Sequence, residues 1–153
     1  MPTVTFRVTT TGSGVRQDVA VAGSPHVIPT DAYPAFGGAD AHPSPLSYTL
    51  ASLTSCNQVT AQVVAKELGL QVDAYAFDVA ADFDPSTMVG GAHGAEDTFS
   101  RVTVRAELTT TATADEVERL RAEVERRCPV SALFRRAGVP VDAEWVARAP
   151  VSA

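Results

Sequence analysis

The sequence predicts an α+β sandwich, and three observations predict it. The first thirty residues alternate β-branched or aromatic residues with polar ones. A single long stretch, 44–70, has the composition of a helix that is apolar around most of its circumference. The second half then runs strand, strand, helix, short helix, strand. Strand runs broken by single helices do not give the regular strand–helix alternation of a doubly wound sheet. A chain of 153 residues is expected to form one domain, 1–153, large enough for a real core.

Each element has its own signal. Val4 to Thr10 sets Val, Phe and Val against Thr, Arg and Thr, the pattern of a half-buried strand. Thr11-Gly12-Ser13-Gly14 turns the chain, and Val15 to Ala22 alternates again as a hairpin partner. His26 to Ile28 is a short third strand, and Pro29 to Pro43 a loop that packs over the start of the helix. Ser44 can cap that helix, Pro45 suits its first position, and Gly69 supplies the stop. Leu46, Leu50, Leu53, Asn57, Thr60 and Val64 line one side of it, and Cys56, Val59 and Val63 widen that side. A helix this apolar is expected to be long, central and buried.

Leu70 to Phe83 reads as a long strand, with Val72, Ala74 and Ala76 on one face and Tyr75, Phe77 and Val79 on the other. Asp84 to Asp97 is a glycine-containing loop, and Thr98 to Thr109 a strand carrying Val102, Val104, Ala106 and Leu108. Thr113 and Glu116 form a capping box that opens an amphipathic helix through Val117, Leu120 and Val124, ending at Cys128. Pro129 to Ala137 is a short second helix closed by Gly138, and Val139 to Ala147 a last strand with Trp145.

Composition narrows the function. A net charge of −6 argues against nucleic acid or an anionic membrane surface as partner. No apolar run approaches the roughly 20 residues of a membrane span. The N-terminus lacks the basic-then-apolar pattern of a secretory signal, so a cytoplasmic location is expected. In that compartment two cysteines are read as free or redox-active thiols. His26, His42 and His93 have no ligand spacing, so no metal is expected. Asp82, Asp84, Glu96 and Asp97 do not keep calcium-loop spacing and read as a solvated edge.

The two thiols are the chemical signal. Cys56 sits mid-helix among apolar residues, where a cysteine can simply be a small hydrophobe. Cys128 precedes Pro129 and so falls at a helix N-cap, where free N–H groups and the helix dipole favour a thiolate. Arg126, Arg127, Arg135 and Arg136 flank it.

The chain resembles the OsmC/Ohr family of organic hydroperoxide reductases and their relatives. The residues that carry the resemblance are Pro43-Ser44-Pro45-Leu46 and Leu50-Ala51-Ser52-Leu53-Thr54-Ser55-Cys56 in the central helix. Arg127-Cys128-Pro129-Val130-Ser131, the closing strand Val139 to Trp145 and the loop Gly37 to His42 complete it. The resemblance implies an intertwined homodimer, with central helices packed between six-stranded sheets. It implies that Cys56 attacks the peroxide and that Cys128 resolves the resulting sulfenic acid as a disulfide. It implies no bound cofactor and an external dithiol reductant.

An arginine from the N-terminal hairpin is implied beside Cys56. Arg16, near the turn, and Arg7 are the candidates, with Arg16 preferred. Peroxidase members aim that arginine with a glutamate just after the proline that opens the central helix. Here Leu46, Ser47 and Tyr48 follow Pro45, and no carboxylate stands there. Asp31 or Asp40 could replace it. The expected activity is thiol-dependent reduction of organic hydroperoxides, with apolar walls favouring alkyl substrates. The alternative is a non-peroxidase homodimer of the same family that binds a small apolar molecule.

Overall fold

Local signals set the ends of most elements. The computed structural model describes residues 2–94 and 97–150. Glu96, one of the acidic loop residues, lies outside them. The chain forms two units, Met1–Thr49 and Leu50–Ala153. Among the described residues the fold is mixed α+β, with two three-stranded sheets and four α-helices.

In the first unit β1 (Val8–Ser13), β2 (Arg16–Val21) and β3 (Val27–Thr30) pair antiparallel in that order. Strand β1 starts four residues later than the alternation suggested. It is also exposed on both faces rather than half-buried. Pro29 is tolerated because β3 is an edge strand, where a missing N–H breaks no ladder.

The loop after β3 is organised by Asp31. Its Oδ1 accepts the Ala32 N–H at 2.8 Å, and its Oδ2 accepts those of Ala39 at 3.2 Å and Ala41 at 3.0 Å. Gly38 is required there, since a Cβ would sit 1.9 Å from the Ala32 carbonyl oxygen. The loop does pack over the helix start: the Tyr48 hydroxyl donates to the Pro29 carbonyl at 2.8 Å.

The long helix α1 spans Pro45–Leu68. Ser44 Oγ accepts the Ser47 N–H at 3.1 Å, the expected cap. Gly69 adopts φ 71°, and the N–H groups of Leu70 and Gly69 return to the carbonyls of Ala65 and Lys66. This is a Schellman stop, which only a residue free at positive φ accepts cheaply. In the single chain α1 is buried along one stripe: Leu53, Asn57, Ala61, Val64 and Ala65. Its second apolar strip is open, with Val59 66% exposed and Val63 about half so.

The second unit adds a sheet in the order β4-β5-β6. Strand β4 (Val72–Phe83) pairs antiparallel with β5 (Phe99–Thr110), and β5 pairs parallel with β6 (Val141–Arg148). Parallel neighbours need a crossover, and two helices supply it: α3 (Ala114–Arg127) and α4 (Pro129–Arg136). A register shift between Val72 and Ala74 turns Val72 to the face of Tyr75, Phe77 and Val79, not that of Ala74 and Ala76. The stretch after β4, expected to be all loop, contains a short helix α2 (Ser86–Gly90).

The core lies between one face of this sheet and the helices. Val102, Val104, Ala106 and Leu108 of β5 are buried, as are Val117, Leu120 and Val124 of α3. Stripes of α1 and α4 join them, and Cys128 is fully buried among them. The sheet's other face carries cross-strand ion pairs, Arg101–Asp142, Arg105–Glu144 and Glu107–Arg148. No helix among the described residues is long and apolar enough to cross a membrane.

Candidate functional site

Three short pieces of the second unit bring the thiols together. Cys56 comes from the middle of α1, Cys128 from the junction of α3 and α4, and Val130 and Ser131 from the first turn of α4. The junction is tight because Cys128 serves both helices. Its N–H closes α3 on the Val124 carbonyl at 2.8 Å, and its sulfur accepts the Ser131 N–H at 3.5 Å at the start of α4. Pro129 occupies the first helical position, where no N–H is needed. The expected N-cap thiol is therefore present.

The two thiols lie close enough to influence each other's ionisation, and both cysteines are free. Burial pushes the Cys56 thiol up, and its contact with Cys128 adds to the rise. The Val130 N–H and the Thr60 hydroxyl pull it the other way. Burial also pushes Cys128 up, more than any other single influence. The hydroxyl and N–H of Ser131, the Cys56 thiol and the Val130 N–H together outweigh it, so Cys128 ends below the ordinary thiol range. Of the two thiols Cys128 is therefore the more readily ionised, chiefly through Ser131. Reach is distributed the opposite way: Cys128 is fully buried, whereas Cys56 is only half-buried.

Three of the four arginines flanking Cys128 in sequence are engaged elsewhere. Arg127 pairs with Glu67 on α1, Arg126 with Glu123, and Arg135 donates to the Glu125 carbonyl at 3.0 Å. In the first unit Arg16 opens β2, with Nη2 3.1 Å from His42 Nε2. Arg7 lies just before β1, exposed, its carbonyl accepting the Ala22 N–H.

Of the two loop carboxylates, Asp31 is 3% exposed and Asp40 is on the surface. The N–H groups of Ala41 and Ala32, then that of Ala39, hold the Asp31 carboxyl below the usual carboxylate range, with a smaller contribution from the Arg16 charge. Burial opposes them without prevailing.

Two functional features escaped the sequence reading. Asn57, beside Cys56 in sequence, is only 6% exposed, and its Oδ1 accepts the Ser131 hydroxyl at 2.9 Å. The available signal was an amide standing on an otherwise apolar stripe between Leu53 and Ala61. The second feature is a cavity of about 280 Å³ between α3, α4 and the sheet. Asn57 and Ser131 form part of its wall, with Val104, Val139 and Trp145 as apolar lining. Nothing in the residue pattern announced it.

Comparison with known proteins follows the same lines. A family model described as OsmC-like protein matches residues 37–144. No curated protein matches. Among solved structures, an OsmC-like protein from Mycoplasma pneumoniae superposes with a TM-score of 0.81 at 14% identity, covering 94% of this chain and 97% of that one. An organic hydroperoxide resistance protein OsmC from Legionella pneumophila gives a TM-score of 0.72 at 18% identity, covering 96% and 98%. The organic hydroperoxide resistance protein OhrB of Bacillus subtilis gives 0.66 at 20%, covering 94% and 98%. With a family model over most of its length and the same fold in these neighbours, the chain belongs to the OsmC-like protein family.

Proposed function

We propose that the protein is a thiol peroxidase that reduces organic hydroperoxides to alcohols through Cys56, with Cys128 as the resolving thiol. The observation that carries this is the neighbouring pair of free thiols, one reachable and one anchored at a helix N-terminus. Solved relatives named for organic hydroperoxide resistance support it.

In the first step the Cys56 sulfur attacks the outer peroxide oxygen. An S–O bond forms, the O–O bond breaks, and the alkoxide leaves as alcohol after taking a proton. In the second step Cys128 attacks the sulfenic sulfur. An S–S bond forms, and hydroxide departs as water. An external dithiol then reduces the disulfide, and no bound cofactor takes part.

The first step needs the anion on Cys56, whereas in the pair Cys128 is the more readily ionised. A cation beside Cys56 would reverse that order. Arg16 is assigned that role. Its Nη2 meets an imidazole nitrogen, His42 Nε2. Asp31, buried and close enough for Arg16 to affect it, takes the place of the missing glutamate. The working form is a cytoplasmic homodimer, in which a second copy covers the open strip of Val59 and Val63.

The test is to titrate reduced protein with cumene hydroperoxide while counting thiols and alcohol. Two thiols should disappear per alcohol formed, and Cys56→Ser should abolish turnover. Alcohol production that survives Cys56→Ser would end the proposal.

A second reading has its own observation, the cavity of about 280 Å³ with Asn57 and Ser131 in its wall. A family member lacking the glutamate could use it to hold a small apolar molecule. Intact protein that leaves the peroxide and its thiols untouched, yet retains such a molecule through purification, would favour that reading.

A further inference from the structure

The cavity of about 280 Å³ is lined only by residues of the second unit. At the packing density of a protein interior it suits about a dozen non-hydrogen atoms. Most of its wall is apolar: Val104 and Val139 are buried, and Trp145 is nearly so. One corner differs. Asn57, 6% exposed, stands there with Ser131, which gives its single hydroxyl proton to Asn57 Oδ1 at 2.9 Å. The Asn57 amide nitrogen makes no hydrogen bond among the described residues, and it is not closed off as the Tyr75 hydroxyl is. The corner therefore offers the cavity a donor, the Asn57 Nδ2–H, beside an acceptor, the free lone pair of Ser131 Oγ. Turning the amide over would exchange the two roles and leave the same complement.

We propose that this cavity is a binding site for a small alcohol, a compact alkyl or aryl body carrying one hydroxyl, with the hydroxyl seated between Asn57 and Ser131. A hydroxyl is itself one donor and one acceptor, so it meets both groups at once. A plain hydrocarbon fills the apolar walls but leaves the buried amide without a partner, which costs binding energy. A single water satisfies the amide but fills only about a tenth of the space. The alcohol does both.

The charged residues of the wall do not call for an ionic ligand. Arg135 is exposed and donates to the Glu125 carbonyl at 3.0 Å, and the Glu125 carboxylate is paired with Arg121. A carboxylate at the Asn57 corner would be a buried charge faced by neutral groups, an expensive arrangement. The proposal goes beyond the peroxidase reading and does not depend on it. It shares its cavity with the second reading but requires a hydroxyl on the occupant.

The test uses the one tryptophan of the chain, Trp145, whose side chain is part of the wall. Its emission is followed while reduced protein is titrated with 2-phenylethanol and, separately, with ethylbenzene, the same body without the hydroxyl. The alcohol should give a saturable change. Asn57→Leu should weaken the alcohol about tenfold, the size of one lost hydrogen-bond partner, and leave ethylbenzene as tight or tighter. Ser131→Ala should show the same selectivity. A merely structural role for the pair would weaken both probes alike. No saturable change with 2-phenylethanol, an alcohol affinity untouched by Asn57→Leu, or equal weakening of both probes would overturn the proposal. Should Asn57→Leu fail to fold, Ser131→Ala decides alone by the same comparison. The titration contains no peroxide, so a protein that fails to consume cumene hydroperoxide loses the peroxidase reading and leaves this result standing.

Discussion

The stretch Val4 to Val8 leading into β1 and strand β5 both alternate apolar and polar residues, yet Val4, Phe6 and Val8 are exposed, while every second residue along most of β5 is buried. The contrast extends to the two units. In the first, the buried residues are Thr30, Asp31 and Ser44, all polar, and the order there comes from hydrogen bonds to backbone. In the second, burial is mostly apolar, with Leu53, Val102, Leu108 and Leu120 closed off from water. Alternation says which face of a strand could be covered. It does not say whether anything covers it. Phe6, 92% exposed just before β1, makes the same point.

The largest expected effect separates the two sheets. Leu120→Ala should cost about 2–5 kcal/mol in urea denaturation, the usual range for a leucine removed from a closed core. Val8→Thr should stay within about 0.5 kcal/mol in dilute solution, as for an exposed site. If its cost rises with protein concentration, a second copy covers β1.

The next effect concerns acid. Asp31 has its carboxyl lowered by the N–H groups of Ala41, Ala32 and Ala39. A lowered folded value means that its contribution is fully present above the ordinary carboxylate range. That contribution is lost as pH falls through the lowered value. Amide exchange should show Ala39 and Ala41 protected at neutral pH and released in acid. Asp31→Asn should already lack that protection at neutral pH. Equal protection in both proteins would show that the loop holds itself without the charge.

The smallest effect lies in the sheet that is already well packed. The Tyr75 hydroxyl is the buried side-chain oxygen without a hydrogen-bond partner among the described residues. Tyr75→Phe should be neutral or stabilising by up to about 1 kcal/mol, read from the same denaturation curves.

What the sequence disclosed follows from how local each cause is. The Ser44 cap, the Gly69 stop and the Thr113–Glu116 box each depend on a few neighbouring residues, and each stands where it was expected. So does Cys128 at the start of α4. The parallel pairing of β5 with β6 depends on residues about forty positions apart and left no trace in either strand's pattern. The meeting of Cys56 with Cys128 is likewise a property of the fold, and only the family resemblance suggested it. The Asn57–Ser131 bond spans the same gap. Asp31 lay in view as a loop carboxylate, but its three N–H partners come from a backbone path that only the structure draws.

The double duty of Cys128 has a mechanical consequence. One helix ends on its N–H and the next begins on its sulfur, while the ring of Pro129 fixes the torsion that follows. Its side chain cannot swing without unfastening a helix end. Whatever travel is needed to bring two sulfurs to bonding length must therefore be made by Cys56, rotating about its own bonds from a continuous helix, toward a partner that stays still.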